Sequence, residues 1–502
     1  MKIFFTLFIT LFNLGFSFGQ TDTSLSSKNK NLLSGQVDFF VKCHIENYAN
    51  QAVYVYKCYQ DTLLFIDSAK TDKNGKLVFH KYSARGIYRF NMMNNQFFFL
   101  INDGKAARSE LTEPARSKLV EPVEIKTTYQ FNAFNNIATD SLKVLKSEEN
   151  KLFNRFQQLQ KKNVIANAFL KEMMRLYPLG DSFHPTIEKE WAVRYKEMDH
   201  FVKTLHTSTS LSTSATSQTK KIALAYFQPV NPDWKQPDPW RDSIIAAHYF
   251  DYFDPADSFY LHTNILPEKI DMYLYLCTNK RDAYGQPVSD EKLISDAAIS
   301  FINKTKPNKI TYNFCLNYLM KRISKEHKEI AFLALYDYYF KTKDDDCGEA
   351  DSKEFAWVRK KADAIRGVQI DQAAPDFYFY NQALKLSSMQ SDYTLIVFWA
   401  SWCQHCVNEM PEVIRIIEEF KKSNPGKTLL PVFVSLDKDE TIWKNFVENN
   451  NLNQYIHLCD FKGWSGDIAK KYNVYATPSF YLLDENKKII SKNDWFKKLV
   501  NR

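Results

Sequence analysis

Hydrophobic and polar positions change their period three times along the chain. Met1-Lys2 precedes an apolar run from Ile3 to Phe18, with Ser17 and Gly19 as small residues before a cut after Gly19. A basic start, an apolar stretch and small residues predict a secretory signal over 1–19, and hence a periplasmic protein. An uncleaved N-terminal anchor is the alternative, because the run approaches a spanning length. No cysteine stands at the cut, so a lipoprotein anchor is not indicated. No later stretch is apolar for long enough to span, so the mature chain is expected to be soluble.

Residues 34–125 read as strands. VDFFVKCHI (37–45) and AVYVYKCY (52–59) are β-branched and aromatic runs, Thr71–Gly75 is a turn signal, and KLVFH, IYRFNMM and QFFFLIND follow. Strands at this spacing predict an antiparallel β-sandwich. Residues 126–366 take a helical period, as in Leu142, Leu145, Leu152, Phe153, Phe156 and Leu159, and predict an all-α middle domain whose apolar stripes are core. Thr207–Thr219 is Ser/Thr-rich and reads as a long loop. Residues 367–502 alternate short apolar strands with amphipathic helices: TLIVFWA (394–400), then CVNEMPEVIRIIEEFKKS, then LLPVFVSL. That alternation predicts an α/β domain with helices on both faces of a mixed sheet.

Composition refines this picture. A length of 502 residues fits about three domains. Apolar residues at 45% and charged residues at 25% exclude global disorder, and a net charge of +8 without a dense basic stripe argues against nucleic acid as a partner. Only 13 glycines argue against glycine-rich nucleotide loops, and 8 cysteines are too few for a disulfide scaffold.

The chemistry concentrates at Cys403-Gln404-His405-Cys406, directly after a buried strand and at the opening of a helix. A helix start offers free N–H groups and partial positive charge, which favour thiolate over thiol. In such motifs a thiol pKa near 8.5 can fall to roughly 3.5–7.5. Two thiols one helical turn apart can also close a small disulfide, Cys403–Cys406. The first, expected to be the exposed one, attacks a substrate disulfide and the second resolves the mixed disulfide. The alternatives are half of a zinc site completed by His457 and Cys459, or a structural disulfide; no metal and no cofactor are expected.

FWASWCQHCVNEMP resembles the active-site block of thioredoxin-fold proteins, in particular the exported TlpA/ResA-like group. AAPDFYFYN (373–381) is similar to that group's leading strand, and Ala476-Thr477-Pro478-Ser479 to its cis-proline loop. The resemblance covers about 130 C-terminal residues and implies a thioredoxin fold. It implies Cys403 as nucleophile, Cys406 as resolving thiol, Trp402 as an apolar platform, and a cis Thr477–Pro478 bond presenting backbone to substrate. It also implies that Glu409 modulates the thiols, as proton acceptor for Cys406. The buried Asp of general thioredoxins is replaced by Val397, which leaves more to Glu409. His405, as in oxidising exported members, would stabilise a Cys403 thiolate, whereas the TlpA-like group is more often reducing; the balance falls on the reductase side. The segment 246–274, AAHYFDYFDPADSFYLHTNILPEKIDMYL, resembles text preceding such modules and carries no catalytic residue.

The expected partners are exported proteins with cysteines or disulfides, cytochrome c maturation substrates among them, and a membrane electron donor. Cys43 and Cys58 either bridge across a hairpin or are buried thiols. Cys277 and Cys315 read as core, Cys347 as exposed, and Cys459 as lying near a strand end. Two other readings compete: a partner- or ligand-binding protein with an auxiliary thioredoxin domain, and a peroxidase. The second lacks the Pro and Thr/Ser that precede a single peroxidatic Cys.

Overall fold

The computed structural model describes residues 36–103, 121–130, 141–207, 217–233, 236, 238–282, 286–341, 355–379 and 384–495. The expected signal, most of the Ser/Thr-rich segment and Cys347 lie outside the described residues. Among the described residues no helix is long and apolar enough to cross a membrane. The chain forms two compact units, residues 1–318 and 319–502.

The first unit begins with strands β1 (Gln36–Glu46), β2 (Ala52–Tyr59), β3 (Thr62–Lys70), β4 (Lys76–Ala84), β5 (Gly86–Asn91), β6 (Phe97–Asn102), β7 (Val123–Thr128) and β8 (Lys143–Val144). They make two four-stranded sheets, ordered β4-β1-β7-β8 and β3-β2-β5-β6. Strict alternation along β1 turns Phe39, Val41, Cys43 and Ile45 inward. There they share one core with Val55 and Phe90 of the other sheet. The purely antiparallel expectation is corrected by β1 and β7, which pair in parallel from Val41↔Val123 onward. The turn before β4 requires Gly75, at φ +73°, because a Cβ there would lie 2.2 Å from the Ile45 carbonyl oxygen. Cys43 and Cys58 belong to different sheets, and both are free, buried thiols, so they form no hairpin bridge.

Helices α1 (Glu148–Leu176), α2 (His184–Thr207), α3 (Gln218–Tyr226), α4 (Asp238–Ala247), α5 (Ile265–Thr278), α6 (Glu291–Thr305) and α7 (Lys309–Lys325) follow. A small ribbon of β9 (Lys280–Arg281) and β10 (Pro287–Val288) interrupts them, so the middle segment is not purely helical. The helical period read from Leu142 begins later than expected. Lys143 and Val144 pair with β7, and Ser147 caps α1 by accepting the Asn150 N–H. The boundary expected at 125/126 therefore falls inside a strand. The text around Tyr249 builds an aromatic core, with the Lys269 ammonium 3.9 Å from the Tyr249 ring centre.

The second unit contains α8 (Glu329–Phe340), α9 (Ala356–Arg366), β11 (Tyr393–Trp399), α10 (Gln404–Ser423), β12 (Leu429–Ser435), α11 (Glu440–Asn449), β13 (Ile456–Cys459), α12 (Asp467–Lys471), β14 (Ser479–Leu483) and β15 (Ile489–Lys492). The sheet order is β13-β12-β11-β14-β15, with β11, β12 and β13 parallel and β14 and β15 antiparallel. Alternation along β11 divides its side chains between two cores. Leu395, Val397 and Trp399 meet Val413, Ile417 and Phe420 of α10, while Ile396 and Phe398 meet Phe377, Val434 and Tyr472. Both faces are therefore covered, as the apolar run required. The division between units falls within α7 rather than at the expected 366/367. α8 and α9 bond into the sheet unit, through Glu329 to Lys492 and Lys361 to Asn473.

Candidate functional site

The carboxyl end of β11 meets the start of α10 at Ala400–Cys403. Cys403 is the N-cap of α10, in extended backbone (φ −87°, ψ 103°), and its sulfur accepts the Cys406 N–H at 3.3 Å. Its thiol also donates to the Thr477 carbonyl at 3.4 Å. Cys406 lies one turn on, inside the core formed with Trp399 and Met410. Both cysteines are free thiols. The sequence leads one to expect an exposed Cys403, but it is only 8% exposed, against 2% for Cys406. The N-cap geometry turns its sulfur toward the helix N–H groups and Thr477, so access is narrow.

The two thiols are driven apart in acidity. Burial opposes the Cys403 thiolate, but the Cys406 thiol, Thr477 and the N–H groups of Cys406 and His405 outweigh it, and its pKa falls below the usual thiol range. Burial, followed by the neighbouring Cys403, pushes the Cys406 thiol up. His405 enters this balance through its backbone N–H; its side chain is exposed. Glu409 is exposed one turn after Cys406. Val397 is buried in the core under the motif, so β11 places no carboxyl there.

The Thr477–Pro478 peptide is cis. Trp402 is 56% exposed and meets Trp464 edge-on, their ring centres 6.2 Å apart. With Leu436, Ile442, Phe446 and Gly463 they line a pocket of about 640 Å³. The suggested extra metal ligands are engaged elsewhere. His457 bonds the Leu452 carbonyl at 2.9 Å and stacks on Phe433, and the Cys459 thiol contacts the Asp437 carbonyl at 3.5 Å.

Sequence reasoning missed Asp437. Its buried carboxylate accepts from Ser401 N (3.0 Å), Ser401 Oγ (2.6 Å) and Ser435 Oγ (2.6 Å). It thus ties the end of β12 to the loop carrying Trp402 and Cys403. Its signal was available: an acidic residue at the carboxyl end of a parallel strand, where open α/β sheets place their sites.

A thioredoxin-like family profile matches residues 391–489, the segment that holds this geometry. The thioredoxin-like protein YneN of Bacillus subtilis is 34% identical over 122 residues, which cover 24% of this chain and 68% of YneN. The chain belongs to the TlpA/ResA-like thioredoxin-fold family. The thiol–disulfide oxidoreductase ResA of Bacillus thuringiensis, 28% identical over 130 residues, covers 25% of this chain and 69% of its own length. Similar solved structures include a thiol–disulfide oxidoreductase from Bacteroides fragilis, at 31% identity and a TM-score of 0.22, spanning 24% of this chain and 90% of that one. Another is a thioredoxin-like protein from Bacteroides caccae, at 17% identity and a TM-score of 0.35, spanning 55% of this chain and 98% of that one. This member of the TlpA/ResA-like family is a protein thiol–disulfide oxidoreductase. The family profile lies in the C-terminal part of the chain, and the two Bacillus relatives each cover about a quarter of it.

Proposed function

We propose that the protein exchanges disulfides with exported proteins in the periplasm, through Cys403 and Cys406, mainly as a reductant. The observation that carries this reading is the placement of two thiols at one helix start: Cys403 caps α10 with its sulfur on the Cys406 N–H at 3.3 Å, and Cys406 stands one turn on. The Cys403 thiolate attacks one sulfur of the substrate disulfide, forming a mixed disulfide and releasing a substrate thiolate that takes a solvent proton. Cys406 then loses its proton, with Glu409 as the acceptor, and attacks Cys403 Sγ. The products are the Cys403–Cys406 disulfide and the second substrate thiol, two electrons having passed to the substrate. A membrane electron donor returns the disulfide to the dithiol. Trp402, Thr477 and Pro478 form the platform on which an extended substrate lies, and the apolar start of the chain supports export. The test is insulin reduction with dithiothreitol as donor: Cys403→Ser abolishes turnover, and Cys406→Ser accumulates a mixed disulfide. Full activity in Cys403→Ser would refute the reading.

A second reading, partner binding by the first unit, draws support from the last turns of α1 and the connection to α2. Phe169 and Leu176 of α1, and Leu179 and Phe183 of the connection, are all more than 40% exposed. It predicts that Phe169→Asp with Leu179→Asp in the full chain loses a copurifying partner that Cys403→Ser retains.

A further inference from the structure

The segment between residues 319 and 390 lies outside the matched thioredoxin-like segment, yet it shares a compact unit with it. At its start, α7 closes with Lys328 N–H bonded to the Ile323 carbonyl (3.1 Å) and His327 N–H to the Ser324 carbonyl (3.2 Å). This leaves His327 at φ +56°, a left-handed position that glycine fills more cheaply. What histidine adds there is its ring, which lies flat on Tyr475 with centres 3.8 Å apart and planes 8° apart.

Two residues on, Glu329 accepts from Asn473 Nδ2 at 2.7 Å and from Lys492 Nζ at 3.1 Å. Asn473 is buried, and its side-chain oxygen accepts from Lys361 of α9 at 2.6 Å. These contacts flank one loop. Asn473 and Tyr475 precede Thr477, whose carbonyl faces the Cys403 thiol. Lys492 lies opposite Tyr481 on the strand that leaves the loop. One carboxylate therefore holds the approach to the loop and the ladder behind it.

We propose that His327 and Glu329 are positioning residues that brace the loop carrying Thr477 against Cys403, so that the helices added before the thioredoxin-like segment set the reactivity of its thiol. The inference rests on the reading of Cys403 as the reacting thiol.

The test uses the full chain with His327→Gly, which keeps the left-handed closure without the ring, and with Glu329→Ala and Glu329→Gln. Readouts are the pH profile of Cys403 alkylation by iodoacetamide, followed by mass mapping, and kcat/KM for insulin reduction. Coupling carried through packed residues is worth about 0.5–2 kcal/mol, so His327→Gly and Glu329→Ala should each lower kcat/KM about 2- to 30-fold. Each should also move the alkylation midpoint, and Glu329→Gln, which keeps an acceptor for Asn473, should restore part of both. Folded variants with lower melting temperatures but wild-type alkylation profiles and kcat/KM would overturn the proposal, leaving the contacts a purely structural role. Alkylation needs no turnover, so it judges the brace even if the Cys403→Ser control overturns the proposed activity.

Discussion

Cys403 and Thr477, 74 residues apart in sequence, meet thiol to carbonyl at 3.4 Å beside the start of α10. The Cys403 thiol is also held below the usual thiol range, while Cys406 is held above it. Because the thiolate is the attacking species, the rate rises with pH through the Cys403 midpoint and then levels off. Wild-type protein alkylated with iodoacetamide at stepped pH, then mapped by mass, should modify Cys403 first. Its midpoint should lie below about 8.5, the value of a free cysteine. First modification at Cys406, or a midpoint at or above the free value, contradicts the assignment.

The contribution of His405 to the Cys403 thiolate runs through its backbone N–H. Proline removes that donor, whereas alanine removes only the exposed imidazole. A less stable thiolate makes the disulfide harder to reduce, so His405→Pro lowers the potential, by on the order of 30 mV for a tenfold change in equilibrium. His405→Ala should shift it much less. Equilibration with glutathione measures both. Equal shifts in the two variants would return the effect to the imidazole.

The thiol pair was legible because it depended on local order: an apolar strand, two cysteines one turn apart, and a helix start. The two-core sheet was legible for the same reason, since alternation along TLIVFWA leaves no polar face. What escaped depended on distant pairing. Lys143 and Val144 form a strand only because β7 is beside them, and two residues carry no period of their own. The parallel β1–β7 pair brings together segments whose sequences say nothing of direction. Nothing local marks Glu329, whose partners Asn473 and Lys492 lie more than 100 residues onward.

Asp437 makes the loop before Cys403 depend on one buried carboxylate. Asparagine keeps the shape but turns an amide N–H₂ toward hydroxyl or N–H donors that need an acceptor. Leaving buried polar groups without partners costs about 1–3 kcal/mol, so Asp437→Asn should lower the melting temperature by several degrees. Because Ser401 stands two residues before Cys403, insulin reduction should fall as well. Thermal melts and steady-state kinetics check the two effects. An unchanged melting temperature would show that the three contacts carry no stability.

Trp464 forms one wall of the pocket beside Trp402 without touching the thiol chemistry, so it separates recognition from reactivity. An aromatic side chain of a polypeptide substrate seated there gains about 0.5–1.5 kcal/mol of ring contact beyond its buried area. Trp464→Ala should therefore raise KM for insulin roughly 2- to 12-fold, the equivalent of that contact, with kcat little changed. A small aromatic disulfide such as dithiobis-nitrobenzoate, which needs no extended platform, should react at the wild-type rate. If both substrates slow equally, Trp464 supports the Cys403 loop rather than the substrate. If neither slows, the pocket is not part of the path by which protein substrates reach the thiol.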